Sequence, residues 1–403
     1  MRRLIRLIIG LLICLGLLGL YGCGSPSSAY ENSENLSGDA ADNASGGSND
    51  ETPSDINDNT LLKYVSSEEL LYAKCFKIDY YEDDYVVLTT NSDGNEYLIV
   101  PEGKEVPSDV PEDMIIIHRP VNNIYLVASA SMDMFCELEE LDSILFSGQK
   151  TENWKIEEAR MAMEDGSILY AGKYSAPDYE MLLETGCGLV IENTMIFHSP
   201  EVLERFDDLG IPYMVDYSSY ENHPLGRVEW IKFYGALMGK KEKADGVFEE
   251  ECAMVDAIDT ENTGLKVAYF YITSNGLVQV RCSNDYIPKM IELAGGEYAP
   301  QNIGDEDSVK STVNLQIEEF YSLAKDADYI IYNSSIDKSI ESVEDIINKC
   351  PSIADFKAVK EGNVWCTSLD AYQESLSVGY MIEDMNTMLT GSDKETTYLY
   401  HLE

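Results

Sequence analysis

The chain has 403 residues, with 73 Asp and Glu against 28 Lys and Arg, a formal charge of −45 at neutral pH. A polyanion of that strength excludes nucleic acid as a partner, since such binding rests on neutralising phosphates, and anionic lipid repels it. The charge reads first as a solvated outer surface and second as a field that steers towards a basic partner.

Arg2, Arg3 and Arg6 form a basic start, and Leu4 to Leu20 is almost wholly apolar. Leu20-Tyr21-Gly22-Cys23 ends that run with a small residue and a thiol, which resembles the lipobox of bacterial lipoproteins, with Tyr21 as a departure. Residues 1–23 are therefore expected to be a lipoprotein signal with lipidation at Cys23. The other reading of an apolar run near spanning length is an uncleaved anchor. Both readings place the body outside the cell. A multi-chain lipid on Cys23 would tie it stably to the bacterial cell membrane.

From residue 24 to 59 the composition turns to Ser, Asn, Asp, Gly, Glu and Ala. Such a segment buries too little apolar surface to offset ordering entropy, so a disordered tether is expected. About 36 flexible residues reach roughly 30–35 Å. The rest of the chain is long enough for two lobes with their own cores. Apart from Cys14 and Cys23, seven cysteines are scattered with no CxxC pair, and an odd number cannot all pair internally. No disulfide framework is expected from them.

Tyr85–Thr89 and Tyr97–Val100 read as strands around the turn-rich Asn91-Ser92-Asp93-Gly94-Asn95, with a further strand at Met114–His118. Together these make an amino-terminal elaboration of a first lobe spanning 60–226. Strands are expected at 124–128, 167–170, 189–192 and 212–215. Helices are expected at 132–141, 178–184 and 200–209. This alternation implies a mostly parallel sheet covered by helices. Arg227 to about Ile258 carries apolar residues at helical spacing, among them Trp230, Phe233, Leu237, Phe248 and Val255, with Gly235 and Gly239 as weak points. One continuous helix there would span roughly 45 Å at 1.5 Å per residue. Residues 227–259 are thus expected to join the first lobe to a second at 260–403. In that second lobe strands are expected at 267–273, 277–280, 329–332 and 364–367. Helices are expected at 287–293, 315–324, 340–348 and 378–389.

The polar, aromatic run Tyr217-Ser218-Ser219-Tyr220-Glu221-Asn222-His223-Pro224-Leu225-Gly226-Arg227 leads straight into that helix. With 172–180, Gly276 to Gly296, 327–334 and Gly362-Asn363-Val364-Trp365, it resembles the substrate-binding lipoproteins of iron-siderophore and cobalamin ABC importers. The likeness runs from about residue 120 to the end and rests on the order of these segments. It implies an α/β protein of two Rossmann-like lobes with mostly parallel sheets, joined by one long rigid helix, with a ligand cleft between. It also implies a surface carboxylate on each lobe that pairs with arginines of the permease dimer. Glu180 fits that role in the first lobe. Glu318 fits in the second, with Glu319 as the other choice, because the spacing there is longer by two.

The cleft is expected at loops that follow strands. Tyr174, Tyr217, Tyr220 and Tyr372 offer apolar rings with a hydroxyl for a large ligand, or are core and surface tyrosines in a chain with 27 of them. Arg227 and Arg281 are candidate partners for an anionic ferric catecholate or a haem propionate, or are locally paired. Met195 and His198 suggest axial ligands for haem iron or corrinoid cobalt, although His118, His198, His223 and His401 form no cluster and no resident metal or cofactor is expected. There is no phosphate loop, HExxH or GxSxG, so no enzyme is expected. The sequence reads as a monomeric, lipid-anchored, extracytoplasmic binding protein. It would deliver a metal chelate or corrinoid to an ABC permease, a ferric siderophore leading and cobalamin or haem next. A tetrapyrrole-acting surface enzyme and a sensor ectodomain are the rivals.

Overall fold

Alternation of apolar and polar residues from Phe76 to Val100 builds the first sheet. The computed structural model describes residues 61–258, 261–304, 311–371 and 373–403. The signal, Cys23, the tether and Tyr372 lie outside the described residues. Strands Tyr64–Ser67, Phe76–Tyr81, Val86–Thr90, Glu96–Val100 and Ile115–His118 stand side by side in chain order, antiparallel except for the last pair. The expected hairpin is present within a residue of its reading. The first two strands escaped notice because the outermost is exposed along its whole length and the second carries Lys77 and Asp79.

This sheet packs on the helix Pro224–Met238. Phe76 meets Trp230 and Phe233 with ring centres 4.9 and 5.5 Å apart. Five consecutive backbone N–H groups before the second strand point at two carboxylates. Leu71, Tyr72 and Ala73 each donate to Glu229 at 2.8 Å, and Lys74 and Cys75 donate to Glu221. Trp230 Nε1 also donates to Glu221, at 3.1 Å.

The first lobe is built on a parallel sheet ordered Tyr213–Asp216, Leu189–Asn193, Ile124–Leu126, Ile144–Ser147, Leu169–Tyr170. Helices Ser131–Glu137, Glu157–Asp165, Tyr179–Glu184 and Glu201–Leu209 connect its strands. Burial on both faces explains the unbroken apolar run Leu189-Val190-Ile191. The strand Ile144–Ser147 and the helix Glu157–Asp165 were not read from the sequence. The helix is rich in charge and buries only Ala159 fully.

The second lobe carries a seven-stranded mixed sheet. Its parallel centre is Lys266–Ile272, Tyr329–Tyr332 and Val364–Thr367. Glu297–Ala299 adds a further parallel pair, and Val278–Arg281, Thr312–Leu315 and Leu399–His401 add antiparallel ones. The sheet therefore does not end at Val364–Thr367, as expected, because the chain's last strand pairs beyond it.

The single helix expected over 227–258 is not observed. Pro224–Met238 and Lys241–Asp256 are separate helices. Gly239 sits between them at φ +73° in the left-handed region, where glycine carries no Cβ penalty. Arg119 closes that end, donating to the carbonyls of Leu237, at 3.0 Å, and Ala236. The two helices then fold back on each other: a Cβ on Gly235 would lie 2.4 Å from the Ala244 Cβ, and Lys232 Nζ lies 4.6 Å from the Phe248 ring centre. Only Lys241–Asp256 leads on to the second lobe, where Gly379 N–H donates to Glu251. At 1.5 Å per residue it is roughly 24 Å long. The expected rod of roughly 45 Å between the lobes is therefore replaced by a shorter helix.

Candidate functional site

Strand ends of both lobes and the amino termini of two helices converge on one crevice. From the first lobe come Ala130, Met134, Ser218 and Arg227; from the second come Tyr269, Arg281, Tyr286 and Asn333, with Glu374, Ser375, Ser377, Val378 and Met381 along one side. Counted to its open mouth the crevice holds about 860 Å³, of which about 100 Å³ admits the centre of a water-sized molecule. Pockets for small molecules commonly run to roughly 300–1,000 Å³. The accessible part of the crevice is therefore small for a ligand pocket.

Arg227 sits in the first turn of Pro224–Met238, whose amino end is capped by His223 Nδ1 accepting from Leu225 N–H at 3.2 Å. Arg281 ends the strand Val278–Arg281, and Tyr286 opens the helix Tyr286–Leu293, capped by Asp285 accepting from Ile287 N–H at 3.1 Å. The Arg227 and Arg281 guanidinium carbons lie 3.9 and 5.6 Å from the Tyr286 ring centre. Arg281 is also 5.8 Å from the Tyr269 ring centre and 3.6 Å from Asp285. Two cations thus share one aromatic ring, in a chain short of bases.

Burial opposes the Arg281 charge, yet Asp285 and the surrounding tyrosines hold its pKa above the ordinary arginine value. Arg227 makes no ion pair within 4.0 Å among the described residues, and its guanidinium lies over the Tyr286 ring. Behind it, burial pushes the Asp216 carboxyl up, against hydrogen bonds from Ser218 and Tyr234 and the Arg227 charge. The crevice can hold anionic groups through charge-assisted, planar contacts. Both helix amino termini add positive potential of the same sign.

Of the residues singled out from the sequence, Arg227 and Arg281 are brought together here. Tyr220 lies in an adjoining groove beside His223, Asp285 and Lys289. Tyr217 does not line the crevice: it is buried, donates to Asp93 at 3.0 Å and ties the amino-terminal sheet to the first lobe. Tyr174 is drawn half-buried onto the first-lobe core, in the turn between Gly172–Lys173 and Ala176–Pro177. Met195 and His198 are exposed on the one-turn helix Thr194–His198, away from the crevice wall. Among the described residues no three His, Cys, Asp or Glu side chains gather as a metal site. Tyr372 lies outside the described residues.

Tyr286 was missed because the helix was read from Ile287. The signal was Asp285, a capping residue that makes the next position the first helical one. Glu180 is exposed in the first turn of Tyr179–Glu184, and Glu318 and Glu319 are exposed in the first turn of Ile317–Ala324.

No protein-family profile matches the chain. It is 26% identical over 366 residues to an uncharacterized lipoprotein of Methanocaldococcus jannaschii, covering 83% of each chain. A second uncharacterized lipoprotein of that organism is 24% identical, with 82% of this chain and 86% of the other covered. Among solved structures, a periplasmic heme-binding protein from Pseudomonas aeruginosa superposes with a TM-score of 0.54 at 13% identity, over 70% of this chain and 98% of that one. The periplasmic heme-binding protein of Vibrio cholerae gives 0.52 at 16%, over 65% and 97%. An ABC transporter substrate-binding protein from Listeria monocytogenes gives 0.51 at 16%, over 67% and 98%. The likeness is one of fold. The chain has the two-lobed α/β fold of these periplasmic binding proteins.

Proposed function

We propose that this chain is an extracytoplasmic solute-binding lipoprotein. It captures an anionic iron complex, a ferric siderophore foremost, and passes it to an ABC permease dimer. The observation that carries this reading is the pair Arg227 and Arg281 meeting over Tyr286 in the crevice between lobes. In a chain of charge −45, two guanidiniums in one crevice run against the composition. They supply the countercharge that a catecholate complex needs. The fold shared with periplasmic binding proteins supports the transport role, and the lipoprotein relatives support anchoring through Cys23. Binding is reversible and leaves the ligand chemically unchanged, so the chain is not an enzyme. It acts as a monomer, with Glu180 and Glu318 (or Glu319) meeting the permease.

Haem is the second reading, because its two propionates also match two guanidiniums. Axial ligation by Met195 or His198 forms no part of it. Equilibrium dialysis of the purified chain against a ferric tricatecholate, a neutral ferric hydroxamate, haem and cobalamin tests the proposal. Saturable 1:1 binding of the tricatecholate supports it. Retention of none of the four would dismiss the solute-binding role.

A further inference from the structure

Resting on the solute-binding reading, we propose that residues 373–376 form a latch that holds the crevice narrow and must release before a chelate enters. The segment belongs to the second lobe, where Glu374 accepts from the Tyr398 hydroxyl, yet Gln373, Ser375 and Leu376 bond to the first. Gln373 uses both ends of its amide: Oε1 accepts from Lys155 N–H at 2.7 Å, and Nε2 donates to the Asn153 carbonyl at 2.8 Å. Ser375 Oγ donates to the Ala130 carbonyl at 2.6 Å, and Leu376 N–H donates to Asp133 at 3.0 Å. Gln373 and Leu376 are buried. An amide spanning a donor and an acceptor two residues apart fixes register as well as distance, so the segment is docked rather than merely adjacent.

Ala130 and Ser375 both line the crevice, so this contact is one of its walls. Against the roughly 300–1,000 Å³ of pockets that bury a small molecule, the accessible space here is about 100 Å³. A metal chelate does not fit inside it. The latch and a bound chelate are therefore alternatives. When the binding-competent state is a minor one, apparent affinity falls by its fraction. This fixes a sign: weakening the latch strengthens and speeds binding. A contact that instead completed the ligand-bound state would weaken binding when removed.

The test uses the full chain and two variants, Gln373→Ala and Ser375→Ala, the second removing only a hydroxyl in case the first disturbs folding. In the absence of ligand, hydrogen exchange at the Lys155 amide should be slow in the parent and about tenfold faster in Gln373→Ala. Unchanged exchange overturns the latch. With a trianionic ferric tricatecholate as probe, both variants should associate about three- to tenfold faster and bind more tightly. Slower association or weaker binding also overturns it. If no variant binds the probe but exchange at Lys155 rises as expected, the ligand reading falls and the latch stands.

Discussion

The Arg227 guanidinium, on a helix of the first lobe, lies 3.9 Å from the centre of the Tyr286 ring, on a helix of the second. A cation held over a ring contributes about 0.5–2 kcal/mol, depending on desolvation. It is also free to exchange that ring for a harder partner. Replacing Arg227 with Gln should cost no more than about 1 kcal/mol of stability. Affinity for a trianionic ferric tricatecholate should fall by about tenfold or more, with a neutral ferric hydroxamate unaffected. Paired titrations of the two complexes check this, and equal losses for both would assign Arg227 a packing role instead.

Glu229 is fully buried and accepts three N–H groups from the segment that leads into the amino-terminal sheet. An amide there would turn an NH₂ group towards donors. Glu229→Gln should destabilise the fold by about 3 kcal/mol, with the first proteolytic cuts falling near residues 71–75. Urea unfolding followed by limited proteolysis reads both effects. A loss below about 0.5 kcal/mol would mean that the sheet is held by the Phe76 contacts, the Glu221 hydrogen bonds and the Tyr217–Asp93 tie without Glu229.

Glu192 lies at the core of the first lobe, and neither carboxylate oxygen makes a well-formed hydrogen bond among the described residues, the Asn193 backbone N–H being its one weak polar neighbour. Burial pushes its pKa up to about 8, only slightly opposed by the Asn193 backbone N–H. The folded state thus holds a proton that the unfolded state has released above about pH 4.5. Stability from this group is full below that value, falls as pH rises, and is gone above about 8. Glu192→Gln should remove this slope and exceed the parent by roughly 4 kcal/mol at pH 8 while matching it near pH 4.5. Urea midpoints across that range, compared as variant minus parent, cancel the other buried carboxyls. A flat difference would contradict the assignment.

The α/β alternation was legible because strands buried on both faces leave apolar runs bounded by turns, as in Leu189-Val190-Ile191 and Tyr329-Ile330-Ile331. The crevice arginines were legible because bases are scarce. The break at Gly239 was not. Its cause lies in Arg119, 120 positions away in sequence, and in the close approach of Gly235 to Ala244, neither visible to a local pattern. That Tyr174 and Tyr217 do not line the crevice was hidden for a related reason. A tyrosine after a strand looks the same whether its hydroxyl meets ligand or, as with Tyr217, a turn of another sheet. Gln373 was hidden because one amide among many reveals its two partners only when the lobes are assembled.

The exposed carboxylates Glu180 and Glu318 head short helices, one on each lobe. With the cognate permease in vesicles, Glu180→Ala combined with Glu318→Ala should reduce ligand uptake by at least about tenfold, since two charge-assisted contacts are lost. Ligand affinity should stay the same. Adding Glu319→Ala should matter only if Glu318 is the wrong choice. Full uptake by the double variant would move docking elsewhere on the surface.

The most direct test is the crystal structure of the chain with whichever iron complex it retains in dialysis. The complex should lie between the lobes with its anionic oxygens within hydrogen-bond reach of Arg227 and Arg281, Tyr286 displaced from between them, and Gln373 parted from Lys155. A ligand seated in the outer groove beside Tyr220 and His223, with the arginines still stacked on Tyr286, would contradict the account.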